Sequence, residues 1–241
     1  MKSNIYSNGK EQEVLSAYEN LQPEMTKERG RTMTTRTLSI AVLGAGNVGG
    51  TLGRKWNVAG YRVAFGVSDP NGKNAQALRN ELDDQVTIGA VADVLSTNPE
   101  VVVMALPGTA MDATIHEYAH QLDGRIMIDA ANRLGGGPMN SFATFQQHTP
   151  RARVFRAFNS ISWENFANPE FDGITADLFY CGPNDDARSI VEQLIAAIGL
   201  RPMYLGGDEQ VGLVDAVAGL SFALAFGQGM GRHLAFKVLT R

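Results

Sequence analysis

The chain has 241 residues, 44% of them apolar, and a formal charge of −4 at pH 7. That length suits one large domain, or one with a small appendix, and is enough to bury a sizeable core. With no basic block, recognition of nucleic acid or of an anionic membrane surface has no electrostatic basis.

Cys181 is the single cysteine, which excludes an intrachain disulfide and a cysteine-based metal centre and suits a reducing, cytoplasmic compartment. Met1 to Arg36 mix Ser, Asn, Glu, Gln, Lys and Arg without an apolar run long enough for a signal-peptide core. A short amphipathic helix fits Glu11 to Leu21, but low hydrophobicity favours a mobile tail. Met33 is a second candidate start.

From Thr37 onward, strand-like runs alternate with helix-like ones. Leu38–Leu43 reads as a strand, Asn47–Ala59 as a helix stopped by Gly60, and Arg62–Val67 as a second strand. The turn Ser68-Asp-Pro-Asn-Gly leads into a helix through about Asp83, then a short strand Val86–Ile88 and a helical turn or two over Ala90–Leu95. Val101–Leu106 is a continuous apolar run closed by Pro107-Gly108, as expected of a strand buried on both faces.

Helix Ala110–Leu122, strand Arg125–Asp129 and an irregular loop from Asn132 to Pro138 follow. Arg153–Ala157 and Leu178–Cys181 read as further strands, each followed by a helical segment. Asp185–Ile198 is a helix, Arg201–Leu205 a last strand, and Asp208 a candidate cap for a helical region that runs toward Arg241, broken at the glycines. Ala216 to Gly227 is apolar over about a dozen residues, which suits a buried helix better than a bilayer crossing.

The alternation argues for an α/β fold, a Rossmann-type doubly wound, mostly parallel sheet with a small C-terminal helical appendix. The expected divisions are a tail over 1–36, an NAD(P)-binding domain over 37–207 and a helical segment over 208–241.

The most specific signal is Ile40-Ala-Val-Leu-Gly44-Ala45-Gly46-Asn47-Val48-Gly49-Gly50, a G-x-G-x-x-G set between a strand and a helix start. Gly44 permits the tight turn, Gly46 lets backbone approach a pyrophosphate, and Gly49 lets helix and strand pack closely. The helix start, with its unpaired N–H groups and dipole, then faces the anion. The tip of the second strand should meet the adenosine ribose, where an acid would select NAD. Val67 and Ser68 occupy that place. Ser68 can donate to a 2′-phosphate and Lys73 can reach it, so NADP(H) is preferred over NAD(H). Asp69 reads as a turn or helix cap before Pro70. Ala105, Leu106 and Pro107, ending the fourth strand, form the second expected contact.

The chain resembles the F-420-dependent NADP reductase family, the deazaflavin oxidoreductases, over roughly Leu38 to Arg241. It is also similar to the related cytosolic domain of the six-transmembrane epithelial antigen metalloreductases. The segments that carry the likeness are Val42 to Gly50, Val63 to Pro70, Ala105-Leu-Pro, Asp129-Ala-Ala-Asn132, Arg156-Ala-Phe158-Asn159-Ser160 and Gly229-Met-Gly-Arg232 with the residues that follow.

The resemblance implies hydride transfer between NADPH and C5 of a deazaflavin (coenzyme F-420) or a flavin-like acceptor. It places Asn132, Phe158 and Asn159 near the nicotinamide and the second ring. It also puts Ser68 where family members commonly carry an arginine. A homodimer follows by analogy and from the apolar terminal helix.

Such a transfer needs positioning more than side-chain acids, and the catalytic residues stay unassigned. Asn159 is a candidate to orient a ring amide, or a loop cap; Phe158 reads as core. A non-catalytic NADP(H)-binding redox sensor and a reductase of a small carbonyl or imine are the alternatives. No metal is expected: His116 and His120 have two-ligand spacing but no third ligand, Glu117 pointing elsewhere on the helix. His148 reads as a loop residue, and His233 as a proton donor if it reaches the cleft. Lys237 has only four residues after it, which argues against a catalytic role.

Overall fold

Ile40 to Leu43 are all buried, so the first strand has no polar face and lies inside a sheet covered on both sides. A computed structural model describes residues 37–82 and 86–241; the expected tail helix lies outside them. The strands and helices begin with β1 (Ser39–Leu43), α1 (Asn47–Val58), β2 (Arg62–Val67), α2 (Lys73–Leu82), β3 (Thr87–Ala90), α3 (Val91–Ser96) and β4 (Val101–Met104). They continue with α4 (Met111–Glu117), α5 (Ala119–Leu122), β5 (Ile126–Asp129), α6 (Phe142–His148), β6 (Arg153–Arg156) and α7 (Glu164–Ala167). The last are β7 (Glu170–Phe171), β8 (Ile174–Thr175), β9 (Asp177–Tyr180), α8 (Asp186–Ala197), β10 (Arg201–Tyr204) and α9 (Val211–Phe222).

The main sheet runs β3-β2-β1-β4-β5-β6 and is parallel throughout. Its order reverses at β1, which has β2 on one side and β4 on the other, so the chain leaves β1 and β4 in divergent directions and opens a crevice at their carboxyl ends. The parallel pair β9–β10 joins the far edge through an antiparallel bridge between Arg156 and Cys181.

Side-chain alternation sorts the core into two layers. Ile40, Val42, Val101, Val103, Ile126 and Ile128 meet Leu52 and Trp56 of α1 and Val191, Leu194 and Ile195 of α8. Ala41, Leu43, Val102, Met104 and Met127 meet Val94, Met111, Ile115 and Phe145 on the opposite face. Trp56 Nε1 donates to the Leu194 carbonyl at 2.9 Å, satisfying a polar atom that burial would otherwise make costly.

Several expectations change. The helix expected over Ala110–Leu122 breaks at Tyr118 into α4 and α5. A helix not anticipated, α6, ends at His148, whose ring edge packs on His116 at 5.0 Å between centroids. A small hairpin, β7–β8, was also not anticipated. Asp185 caps α8 by accepting from the Ala187 N–H. Asp208 does not act as the expected cap: it accepts from Gln146 Nε2, and Glu209 takes the Gly207 N–H.

The C-terminal helical segment also ends early. Helix α9 continues as a wider π turn over Ala223–Gly227, and Gly229 (φ 67°) and Gly231 (φ 78°) then take left-handed conformations that stop it. Residues 228–241 run as an irregular strap held to β9, where Phe236 bridges Asp177 and Val238 N donates to its carboxylate at 2.7 Å. Thr37–Arg241 forms one compact unit. The run Asp208–Gly227 is 20 residues long and apolar enough to cross a bilayer. Its face with Val214, Ala218 and Ser221 is nevertheless buried against the body.

Candidate functional site

The glycine turn separates into two glycines the fold needs and one it does not. Gly44 has φ 107°, and a Cβ there would stand 2.4 Å from the Ala105 carbonyl oxygen. At Gly49 a Cβ would stand 2.1 Å from the carbonyl oxygen of Gly44. Around Gly46 nothing lies within 4 Å, and its φ of −74° with ψ −169° suits any residue. Gly46 is therefore free of side-chain constraint from the protein itself; what a Cβ would obstruct is the space above α1. No side chain caps this helix and no acid sits in its first turn, so the N–H groups of Asn47, Val48 and Gly49 meet that space with the positive end of the dipole.

That space is a cleft of about 690 Å³. Gly44, Ala45 and Gly46 form one wall, Ala105, Leu106 and Pro107 another, and Ser68 and Lys73 the far end. Asp69 also lines it, but its Oδ1 accepts from the Asn71 N–H at 2.9 Å and its carbonyl from Gly72 N at 3.0 Å. This is the turn role expected of it. Arg79 braces the same tip through the carbonyls of Pro70 and Ile88. Asn47 and Gly49, also expected at the cofactor, are not among the residues that line this cleft. Glu117, at the end of α4, and Tyr118 just after it also line the cleft, a place the sequence did not assign to either, and the bond to Glu117 raises the Tyr118 hydroxyl pKa.

A second cavity, of about 200 Å³, shares Ala105 and Leu106 with the cleft. Its floor is Ala130, Ala131, Asn132, Phe158 and Asn159, Val48 borders it, and Trp163, Phe222, Phe226 and Arg232 stand around it. The structure thus brings Asn132 and Asn159 together with the glycine turn. Phe158 is 1% exposed and sits edge-on to Trp56 and Phe166, a core role as expected. It also has φ 63°, a left-handed conformation that costs a bulky residue on the order of 1–3 kcal/mol.

Beneath the floor lies a polar network the sequence reading missed. Arg156 is fully buried. Its Nε donates to Asp215 Oδ1 at 2.8 Å, Nη1 to Asp129 Oδ1 at 2.9 Å and to the Ala131 carbonyl, and Nη2 to Asn132 Oδ1 at 2.7 Å. Asn132 Nδ2 donates to the Asn159 carbonyl at 2.9 Å, and Asn159 Nδ2 to Asp215 Oδ1 at 3.3 Å. Asp129 accepts further bonds from the Ala131 and Ser141 N–H groups. Burial pushes its carboxyl above the usual range against the pull of Arg156. One signal was available: Asp129 and Arg156 close adjacent strands whose other residues are largely apolar, and they are register partners.

Asn159 Oδ1 is buried without a hydrogen-bond partner. With its Nδ2 committed to Asp215, the amide of this cavity-lining residue keeps an acceptor unpaired among the described residues, a natural partner for an amide N–H₂.

Among the described residues, Arg232 is the one charged side chain lining this cavity, and no acid or histidine does so. His233 is exposed and outside it. Lys237 is occupied at the Thr175 carbonyl and Asp177. No cluster of three His, Cys, Asp or Glu side chains able to hold a metal occurs among the described residues. Cys181 is buried, which pushes its thiol up to about 12, far from reactive thiolate character.

Residues 39–133 match the family described as NADP oxidoreductase, coenzyme F420-dependent. The match is confined to this segment, less than half of the chain. The match covers β1 through the loop after β5, and so the glycine turn, the Ser68 tip and the Ala105–Pro107 wall of the cleft.

Among solved structures, the chain is similar to a protein of Arthrobacter sp. FB24 assigned as an F420-dependent NADP-reductase. Identity is 23% and the TM-score 0.71, over 83% of this chain and 99% of that one. It is also similar to an Aspergillus terreus reductive aminase in complex with NADPH and ethyl-5-oxohexanoate, at 18% identity and TM-score 0.57, over 80% of this chain and 62% of that one. A third is the Streptomyces aurantiacus imine reductase, at 17% identity and TM-score 0.58, over 79% of this chain and 65% of that one. At these identities the structural likeness shows the fold that the NADP oxidoreductase match also implies.

Proposed function

We propose that the protein transfers a hydride between NADP(H) and a deazaflavin or flavin-like acceptor. The observation that carries this reading is that two neighbouring cavities share Ala105 and Leu106 in their linings, one also lined by Ser68 and Lys73, the other by Asn159, Trp163 and Phe226. The residues fit the dinucleotide. Gly46 leaves backbone open to a pyrophosphate, and the orphaned Asn159 Oδ1 suits a carboxamide.

When bound, NADPH supplies the hydride. The N–H groups at the start of α1 hold the diphosphate, and Ser68 with Lys73 takes the 2′-phosphate. Asn159 orients the nicotinamide amide while Arg156 and Asp215 fix Asn159. The aromatic rim of Trp163, Phe222 and Phe226 would help to exclude water from the transfer. Reduction of a carbonyl or imine calls for a positioned acid, and none lines the cavity among the described residues, so that reading stands second. The test mixes purified protein with NADPH and either F420 or FMN and follows the nicotinamide absorbance. Loss of absorbance supports the proposal; none with either acceptor overturns it.

We also propose a homodimer in a cytoplasmic setting, with a small-molecule redox partner and no nucleic acid or membrane. Leu213 and Leu220, seven residues apart on α9, are 55% and 50% exposed, and Phe226 beyond them is 63% exposed. An apolar stripe of that kind suits a second copy of the same helix. Light scattering at micromolar concentration should give twice the chain mass; a monomer at all concentrations contradicts it.

A further inference from the structure

The second cavity is graded from floor to mouth. Phe158 and Asn159 are 1% and 3% exposed, whereas Phe226 is 63% exposed and the Arg232 side chain 44%. The only charge in its lining therefore stands at the mouth, among the aromatic rings of Trp163, Phe222 and Phe226.

Arg232 is held there from two directions. Buried Asn165 binds the Arg232 carbonyl at 3.1 Å and the Leu234 carbonyl at 2.8 Å through Nδ2, and Gly231 supplies the left-handed turn just before it. Its Nε stands 2.8 Å from Glu164 Oε1. This pairing uses the side of the guanidinium nearest the chain and leaves Nη1 and Nη2 without a protein partner among the described residues. Those two nitrogens form the fork that matches a carboxylate or phosphate.

We infer that Arg232 is a specificity-determining residue that binds an anionic substituent, carboxylate or phosphate, carried by the acceptor and projecting from its ring toward solvent. The inference rests on the hydride-transfer reading above. Glu164 offsets part of the charge, so the discrimination is moderate, about tenfold for one charge-assisted contact at a half-exposed site. The same fork repels a cationic iminium, which separates this cavity from one built for imines.

The probes are FMN and riboflavin, which share a ring and differ in a phosphate. Their affinity is measured by quenching of flavin fluorescence in the presence of NADP⁺, a readout that needs no turnover. A deazaflavin with and without its anionic side chain forms the second arm, which separates a phosphate-bearing flavin from the other source of the same chemistry. Wild type should bind FMN about tenfold more tightly than riboflavin. Arg232→Gln should bring FMN down to the riboflavin value, and Arg232→Lys, which keeps the charge without the fork, should fall between.

Equal affinity for the charged and neutral members of both pairs in wild type overturns the inference, as does an FMN preference that survives Arg232→Gln. Failure of NADP⁺ itself to bind defeats the broader reading instead, and is seen separately in the same titrations. Thermal melting of each variant confirms that it is folded.

Discussion

Asn159 Nδ2 and Asp215 Oδ1 lie 3.3 Å apart, and the same carboxylate oxygen accepts from Arg156 Nε at 2.8 Å. Through this one atom, a residue of the last helix sets the amide orientation of a residue in the cavity wall and neutralises a fully buried arginine. Asp215→Ala should therefore cost about 3–5 kcal/mol in urea unfolding, the usual loss when one partner of a buried pair is removed. Asp215→Asn should cost less, since it keeps an acceptor. Both should raise the KM for NADPH more than wild-type-like packing would suggest. An Asp215→Ala variant as stable as wild type would show that Asp129 alone balances Arg156.

The glycine turn separates fold from function in a single comparison. A Cβ at Gly46 has no atom of another described residue beyond its chain neighbours within 4 Å, so the melting temperature of Gly46→Ala should match wild type while NADPH affinity falls about tenfold, or about 1.4 kcal/mol. Gly49→Ala drives a Cβ against the Gly44 carbonyl and should lose about 1–3 kcal/mol of stability. Calorimetric melting and a coenzyme titration on both variants check this. A destabilised Gly46→Ala would mean that the turn packs against protein rather than ligand.

How much of this was legible beforehand follows from how local each signal is. The Gly44–Gly49 turn, the apolar strands β1, β2 and β4 and the Ser68 tip depend on residues adjacent in sequence, and all were readable. Asn132 and Asn159 were singled out through resemblance rather than spacing, and the structure places both in one wall. Arg156 was not legible, because an arginine closing a strand ordinarily reads as solvated; its burial depends on Asp129 and Asn132 from one distant segment and Asp215 from another. Residues 228–241 were expected to be helical beyond a break at the glycines. The φ values of Gly229 and Gly231 and the pull of Asp177 decide otherwise.

The coenzyme preference should respond to the second-strand tip. Ser68→Arg places a fork where a hydroxyl now faces the cleft and should tighten NADPH relative to NADH. Lys73→Ala should weaken NADPH with little effect on NADH. Parallel titrations of both coenzymes decide it, and an unchanged ratio in both variants would remove the 2′-phosphate from this end of the cleft.

Acid should release the C-terminal strap. Burial pushes the Asp177 carboxyl up, but Arg201, the Val238 N–H and Lys237 outweigh it and hold its pKa below 3.8. A carboxylate depressed in the folded state contributes its full stabilisation above the unfolded pKa and loses it as pH falls through the folded one. Hydrogen exchange in residues 228–241 should therefore rise relative to the sheet below about pH 3.8, and Asp177→Asn should produce the same rise at neutral pH. Uniform protection across that range would indicate that the strap is held by other contacts.

The account stands most directly on coenzyme binding at the turn between β1 and α1. Equilibrium dialysis of the wild-type chain against NADPH and NADH should find one molecule of NADPH per chain, bound more tightly than NADH. Retention of neither coenzyme would contradict it.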